Sequence, residues 1–150
     1  MRLIYFFFVV TLFSWTPPLV AGRPIAAKDM TVVDLLNDAA WSQKNFSPDS
    51  ALVLATAALT DACKLNYARG EADALHTIGM IHWLRSDLPK ALNYYLKALH
   101  IRKKIGDNLG LGRSYNNIGN IYFDQAKYDT ALVFYQQGLV IRKALRIRRD

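Results

Sequence analysis

The chain has 150 residues, 52% of them apolar and 21% charged, with a formal net charge of +7 at pH 7. That composition excludes a disordered chain and predicts one compact domain. Its single cysteine, Cys63, excludes an intramolecular disulfide framework.

Met1-Arg2 is followed by an uncharged apolar run of 13 residues, Leu3 to Trp15, then by Pro17-Pro18 and the small residues Val20-Ala21-Gly22. One basic residue, a short apolar core and small residues at the cut read as a signal peptide over 1–22. The mature chain is then expected to begin near Arg23 as an exported protein of the bacterial periplasm. The alternative is an uncleaved anchor, but the run is short of the roughly 20 residues that span a bilayer. Residues 23–30 are expected to be a linker.

From residue 31 the chain repeats itself every 40 residues. Laying 70–103 over 110–143 gives eleven identities: Gly70/Gly110, Ile78/Ile118, Gly79/Gly119, Ile81/Ile121, Ala91/Ala131, Leu92/Leu132, Tyr95/Tyr135, Leu99/Leu139 and Ile101-Arg102-Lys103/Ile141-Arg142-Lys143. A fainter copy lies one period earlier, at Ala39, Ala51, Leu52, Ala55, Ala58 and Leu59. Three units follow, about 31–69, 70–109 and 110–150, none able to bury its apolar face alone. Apolar spacings of three and four divide each into two helices, predicted at 31–44, 48–65, 68–85, 88–105, 108–125 and 128–147. Ser47-Pro48-Asp49 and Ser86-Asp87-Leu88-Pro89 supply capping residues and an early proline. Gly79 and Gly119 fall inside helices, where glycine costs about 1 kcal/mol, so a close helix approach is expected there. Ala91 and Ala131 would supply the facing surface. Tyr95 and Tyr135 would fill the wedge between units with the hydroxyl at the rim, and Cys63 would be a small buried hydrophobe.

Charge is uneven. Residues 1–89 hold seven basic and eight acidic side chains, and 90–150 hold twelve and four. The basic clusters Arg102-Lys103-Lys104 and Arg142 to Arg149 end predicted helices, where they read as solvated cations opposing the helix dipole. Nucleic acid is a poor partner, because no base-stacking aromatics are interleaved with them. His76, His82 and His100 have no carboxylate or cysteine at ligand spacing, so no metal is expected. No phosphate loop, nucleophile elbow or other catalytic motif appears, so neither catalysis nor a cofactor is expected.

Leu75-x-x-Ile78-Gly79-x-x-His82 with Ala91-x-x-x-Tyr95-x-x-Ala98 resembles the tetratricopeptide repeat, as does Tyr115-x-x-Ile118-Gly119-x-x-Tyr122 with Ala131-x-x-x-Tyr135-x-x-Gly138. Leu35-x-x-Asp38-Ala39 with Ala51-x-x-x-Ala55-x-x-Ala58 is a degenerate copy in register. The period exceeds the usual one of about 34, so the chain resembles the long variety seen in kinesin light chain. The proline usual near the end of the second helix is absent. The resemblance implies an all-α, right-handed superhelical solenoid of three helix-turn-helix repeats, acting as a scaffold for protein partners. It implies a concave groove lined by Asn37 in the first repeat, by Asp73, His76, Thr77, Met80 and Trp83 in the second, and by Arg113, Asn116, Asn117, Asn120 and Phe123 in the third. Asn37 and Asn117 match a position that hydrogen-bonds a bound peptide's backbone, with Thr77 interrupting the ladder. The chain is also similar to exported sensor regions of bacterial histidine kinases and regulators, which implies, as the alternative, a truncated piece of such a receptor. Finally, the last helix holds more apolar residues than one buried stripe can take. Phe134, Ile141 and Leu145 are expected to face water unless a second copy, a partner or the rest of a longer chain covers them.

Overall fold

The computed structural model describes residues 27–147; the signal expectation for 1–22 lies outside them. The described residues form six helices and no strand: α1 (Ala27–Gln43), α2 (Pro48–Lys64), α3 (Ala68–Leu84), α4 (Leu88–Ile105), α5 (Asn108–Asp124) and α6 (Tyr128–Ile147). They pack as three hairpins, α1–α2, α3–α4 and α5–α6, each stacked on the next. The result is an all-α solenoid. Helix ends fall within one residue of the sequence expectation except at α1, which starts at Ala27 inside the stretch expected as linker. None of the described helices is long and apolar enough to cross a membrane.

Local chemistry sets the ends. Pro48 occupies the first turn of α2, where its missing N–H would have no intrahelical partner. Ser47 does not cap that helix; its hydroxyl bonds the Ser50 hydroxyl instead at 2.9 Å. Asp87 and Asp107 do cap, accepting from the N–H of Lys90 at 3.3 Å and of Gly110 at 2.9 Å. Four joints turn through one left-handed residue each: Asn66, Ser86, Gly106 and Ala126.

The core changes character along the stack. Between the first and second repeats it is built of small side chains, with Ala58, Ala62 and Ala74 closing on Val33, and Ala40 and Ala55 on Ile78. Between the second and third it is larger, with Tyr95 and Leu99 against Leu111, Ile118 and Ile121. Each isoleucine buried there contributes about 1.5–3 kcal/mol. The Tyr95 ring lies on Gly79 of its own repeat, where an added Cβ would sit 2.8 Å from the ring, and it meets Gly79 more closely than Ala91 does. Tyr95 is 1% exposed, and its hydroxyl faces Met80 Sδ at 3.7 Å rather than the rim.

Three further expectations are corrected. Cys63 is exposed, because it sits on the outer face of α2 beside Glu71; burial and then the Glu71 charge raise its pKa. Phe134 is not bare: it stacks on Tyr122 with ring centres 5.3 Å apart and tilts against Tyr115. Ile141 packs against the core and Leu145 is half-buried, while Leu132, Val133, Leu139 and Val140 take the open positions on α6.

Candidate functional site

The first helices of the hairpins, α1, α3 and α5, line one side of the solenoid. Between them lies an open cleft of about 410 Å³, walled by Asp34, Asn37, Asp38 and Trp41 of α1, by Arg69, Asp73, His76 and Thr77 of α3, and by Arg113 of α5, with Arg102 and Tyr67 at its floor and edge. One turn of helix separates residues three or four apart, so Asp34, Asn37, Asp38 and Trp41 share a face of α1.

At the floor is a buried polar network centred on Arg102, which is 1% exposed. Its Nη1 donates to the Gly110 carbonyl at 3.1 Å and to Ser114 Oγ at 2.8 Å, and its Nη2 to Asp73 Oδ1 at 2.7 Å. The Asp107 carboxylate lies 3.6 Å from Nε, which has no hydrogen-bond partner. Burial lowers the Arg102 pKa and the Asp73 carboxylate opposes that shift. The expectation of solvated helix-end cations therefore holds for Lys103 and Lys104, which are exposed, and fails for Arg102. Its side chain turns inward because Gly110 leaves room: a Cβ there would lie 2.6 Å from Nε. Sequence reasoning missed this residue, and the repeated Gly70/Gly110 pair was the signal that a neighbour comes close.

His76 closes the network. Its Nδ1 lies 3.3 Å from Arg102 Nη1 and must accept from it, so the neutral ring carries its proton on Nε2. Nε2 lies 3.3 Å from Asn117 Nδ2, so a protonated Nε2 requires that carboxamide to be turned with its oxygen toward the ring. Burial, followed by the charges of Arg102 and Arg113, lowers the His76 pKa from 6.5 to about 3. The unfolded chain thus binds a proton that the folded chain refuses. Stability from this group is complete above about pH 6.5 and is lost as pH falls toward about 3. The urea midpoint is expected to fall between about pH 7 and pH 4, and His76→Gln should flatten most of that slope. An unchanged slope in that variant would remove His76 as the cause.

The other expected groove residues divide. Asn37 is 7% exposed; its Nδ2 donates to the Gly70 carbonyl at 3.0 Å, while its Oδ1 is buried without a hydrogen-bond partner. Thr77 donates to the Asp73 carbonyl of its own helix at 3.0 Å. Met80 meets the Tyr95 hydroxyl and Asn120 accepts from Tyr135 Oη at 2.8 Å. Asn116 is half-buried and Arg113 exposed. Trp83 is packed against the core and donates Nε1 to Asp124 Oδ2 at 2.6 Å, tying α3 to α5. Phe123 is exposed, edge-on to Tyr128. Asp34, Asp38, Trp41 and Arg69 were not expected in the groove. Tyr67 Oη donates to Asp34 at 2.9 Å, and burial, then this bond, raise the phenol's pKa.

Among the described residues no group of three His, Cys, Asp or Glu side chains is placed to hold a metal. A second, apolar groove of about 1080 Å³ runs along the outer face between α2 and α4, past Leu59, Cys63, Leu92, Leu96 and Ile101.

A family model described as tetratricopeptide repeat matches residues 70–144. No curated protein matches the chain. Among solved structures, the TPR domain of Arabidopsis FLU superposes with a TM-score of 0.68 at 20% identity, covering 81% of this chain and 99% of that one. BtubC (BKLC) from P. vanneervenii superposes with a TM-score of 0.62 at 21% identity over 75% of this chain and 48% of its own. The present chain thus spans about half of BtubC, and likenesses at that identity concern the fold.

Proposed function

The chain belongs to the tetratricopeptide repeat family, and from that premise we propose that it is a protein-interaction scaffold holding an extended peptide segment in the cleft between α1, α3 and α5. The observation that carries this reading is Asn37 Oδ1, a buried acceptor without a partner at the wall of an open cleft. An acceptor stripped of water and left unbonded costs about 1–3 kcal/mol, and turning the Asn37 carboxamide toward the cleft would let the backbone N–H of a bound segment recover it. Asp34 and Asp38 of α1, Arg69 and Asp73 of α3 and Arg113 of α5 give such a segment charged anchors of both signs. Trp41, 43% exposed, offers an apolar face. Export belongs to the same proposal and is supported by the leader-like residues 1–22 alone.

The test takes the chain recovered from cells, its first residue read by N-terminal sequencing, with Arg23 expected. Peptides selected from a random display library are then titrated against it. Trp41→Ala and Arg113→Glu are each expected to weaken binding about tenfold, the equivalent of about 1.4 kcal/mol. Peptides insensitive to both changes, yet lost on Leu96→Asp in the outer groove, would sink the reading.

A further inference from the structure

The same residue type at the same repeat position differs in exposure according to whether another hairpin lies beside it. Leu75, in the groove beside Leu59 of α2, is 5% exposed, whereas Leu35 one period earlier is 63% exposed. At the other end, Leu99, packed against α5, is 6% exposed, and Leu139 one period later is 45% exposed. Arg102 is buried by the same helix, and its copy Arg142 is exposed. Among the described residues nothing lies beyond α1 or α6 to close these positions.

The two open faces carry opposite charge. Helix α1 shows Asp34 and Asp38, both exposed; α6 shows Arg142, Lys143 and Arg146, with Arg113 adjoining on α5. Register sharpens the match. Asp34 stands two periods before Ser114, whose hydroxyl takes the Nη1 of Arg102. The carboxylate that Arg102 finds in Asp73 is replaced, one period on, by Arg113, so Arg142 has no acid at that position.

We propose that the α6 edge receives α1 of a second copy, head to tail, with Leu35 against Leu139 and Asp34 against Arg142, much as α5 is received by α4. Met30 occupies the position of Gly110, so Arg142 takes a more outward path than Arg102. The Asp34 carboxylate has lone pairs to spare beyond the bond from Tyr67. A contact of two different faces leaves one face free at each end of every open assembly, so assemblies grow with concentration. Added salt weakens them, because the pairing charges are solvent-exposed.

Sedimentation velocity on the isolated chain tests this. Wild type should associate at low ionic strength, and Arg142→Glu should weaken that association about tenfold. Leu35→Arg and Leu139→Asp, both at exposed positions that tolerate charge, should each be monomeric alone, and an equimolar mixture should recover association through the intact pair of faces. A monomeric wild type would overturn the proposal. So would Leu35→Arg that still self-associates, since that result assigns α6 to a symmetric pair or to another partner.

Discussion

Arg102→Ala should be the most damaging single change in the described chain, lowering stability by about 3–5 kcal/mol. The guanidinium spans three helices: it leaves α4, meets Gly110 and Ser114 on α5 and reaches Asp73 on α3. Alanine would leave the Ser114 hydroxyl and the Asp73 carboxylate without this partner, and it would open a cavity beside His76. At about 2–4 °C for each kcal/mol in a domain of this size, melting should fall by roughly 6–20 °C. Arg142→Ala, the same substitution one period later, removes an exposed side chain and should change stability by less than about 0.5 kcal/mol. Thermal melts of the two variants decide the matter: equal losses would mean that the buried network does not hold the repeats together.

Gly79→Ala should cost up to about 2 kcal/mol, although alanine is the better helix former by about 1 kcal/mol. Its Cβ would lie 2.8 and 2.9 Å from Tyr95 ring carbons and 3.3 Å from the Ala91 carbonyl oxygen. Tyr95 is 1% exposed and is held by the third repeat, so the ring has nowhere to go and overpacking strain of about 1–3 kcal/mol follows. Gly119→Ala looks worse on distance alone, with its Cβ 2.6 Å from the Tyr135 ring. Tyr135 is only half-buried, however, so it can swing outward at the price of its bond to Asn120. Helix propensity and the displaced ring should then cancel to within about 1 kcal/mol. Denaturant titrations showing equal losses at both glycines would refute the argument that the neighbour's freedom, rather than the distance, sets the cost.

The fold was largely legible in the sequence because the signals that carry it are local and repeated. A proline in the first turn of α2 and α4, aspartates ahead of α4 and α5, and Gly106 after α4 mark ends independently of tertiary contacts. The start of α1 was not legible, since Ala27-Lys28-Asp29 carries no apolar stripe to distinguish helix from linker. The site was legible only in outline. The family resemblance indicated which positions line the cleft, as for Asn37 and His76, but not which of them another helix would engage. Arg102 shows why: Asp73 lies 29 residues before it and Ser114 12 after it, on two other helices. A cation in the last turn of a helix reads as solvated until those helices are placed. Phe134 was misassigned for a related reason, because counting apolar residues on α6 does not reveal that Tyr115 and Tyr122 come round to cover that one ring.

The two boundaries of the stack are closed by different chemistry, and this bears on how such an array can be rearranged. Where α4 presents Arg102 to α5, α2 presents Ala62 to α3, and the Asp73 that answers the arginine has Asp34's neighbour Val33 as its counterpart in the first hairpin. Hairpins that began as copies have thus become non-interchangeable, each joint fitting one neighbour only. Permuting them would set Ala62 against the Gly110 seat made for a guanidinium, and splicing an extra second hairpin between the first and the second would set Arg102 against Ala74 where it now finds Ser114. The order of units is therefore written into side-chain chemistry as well as into chain connectivity, and a shuffled array would keep its helices while losing the joints that make them one body.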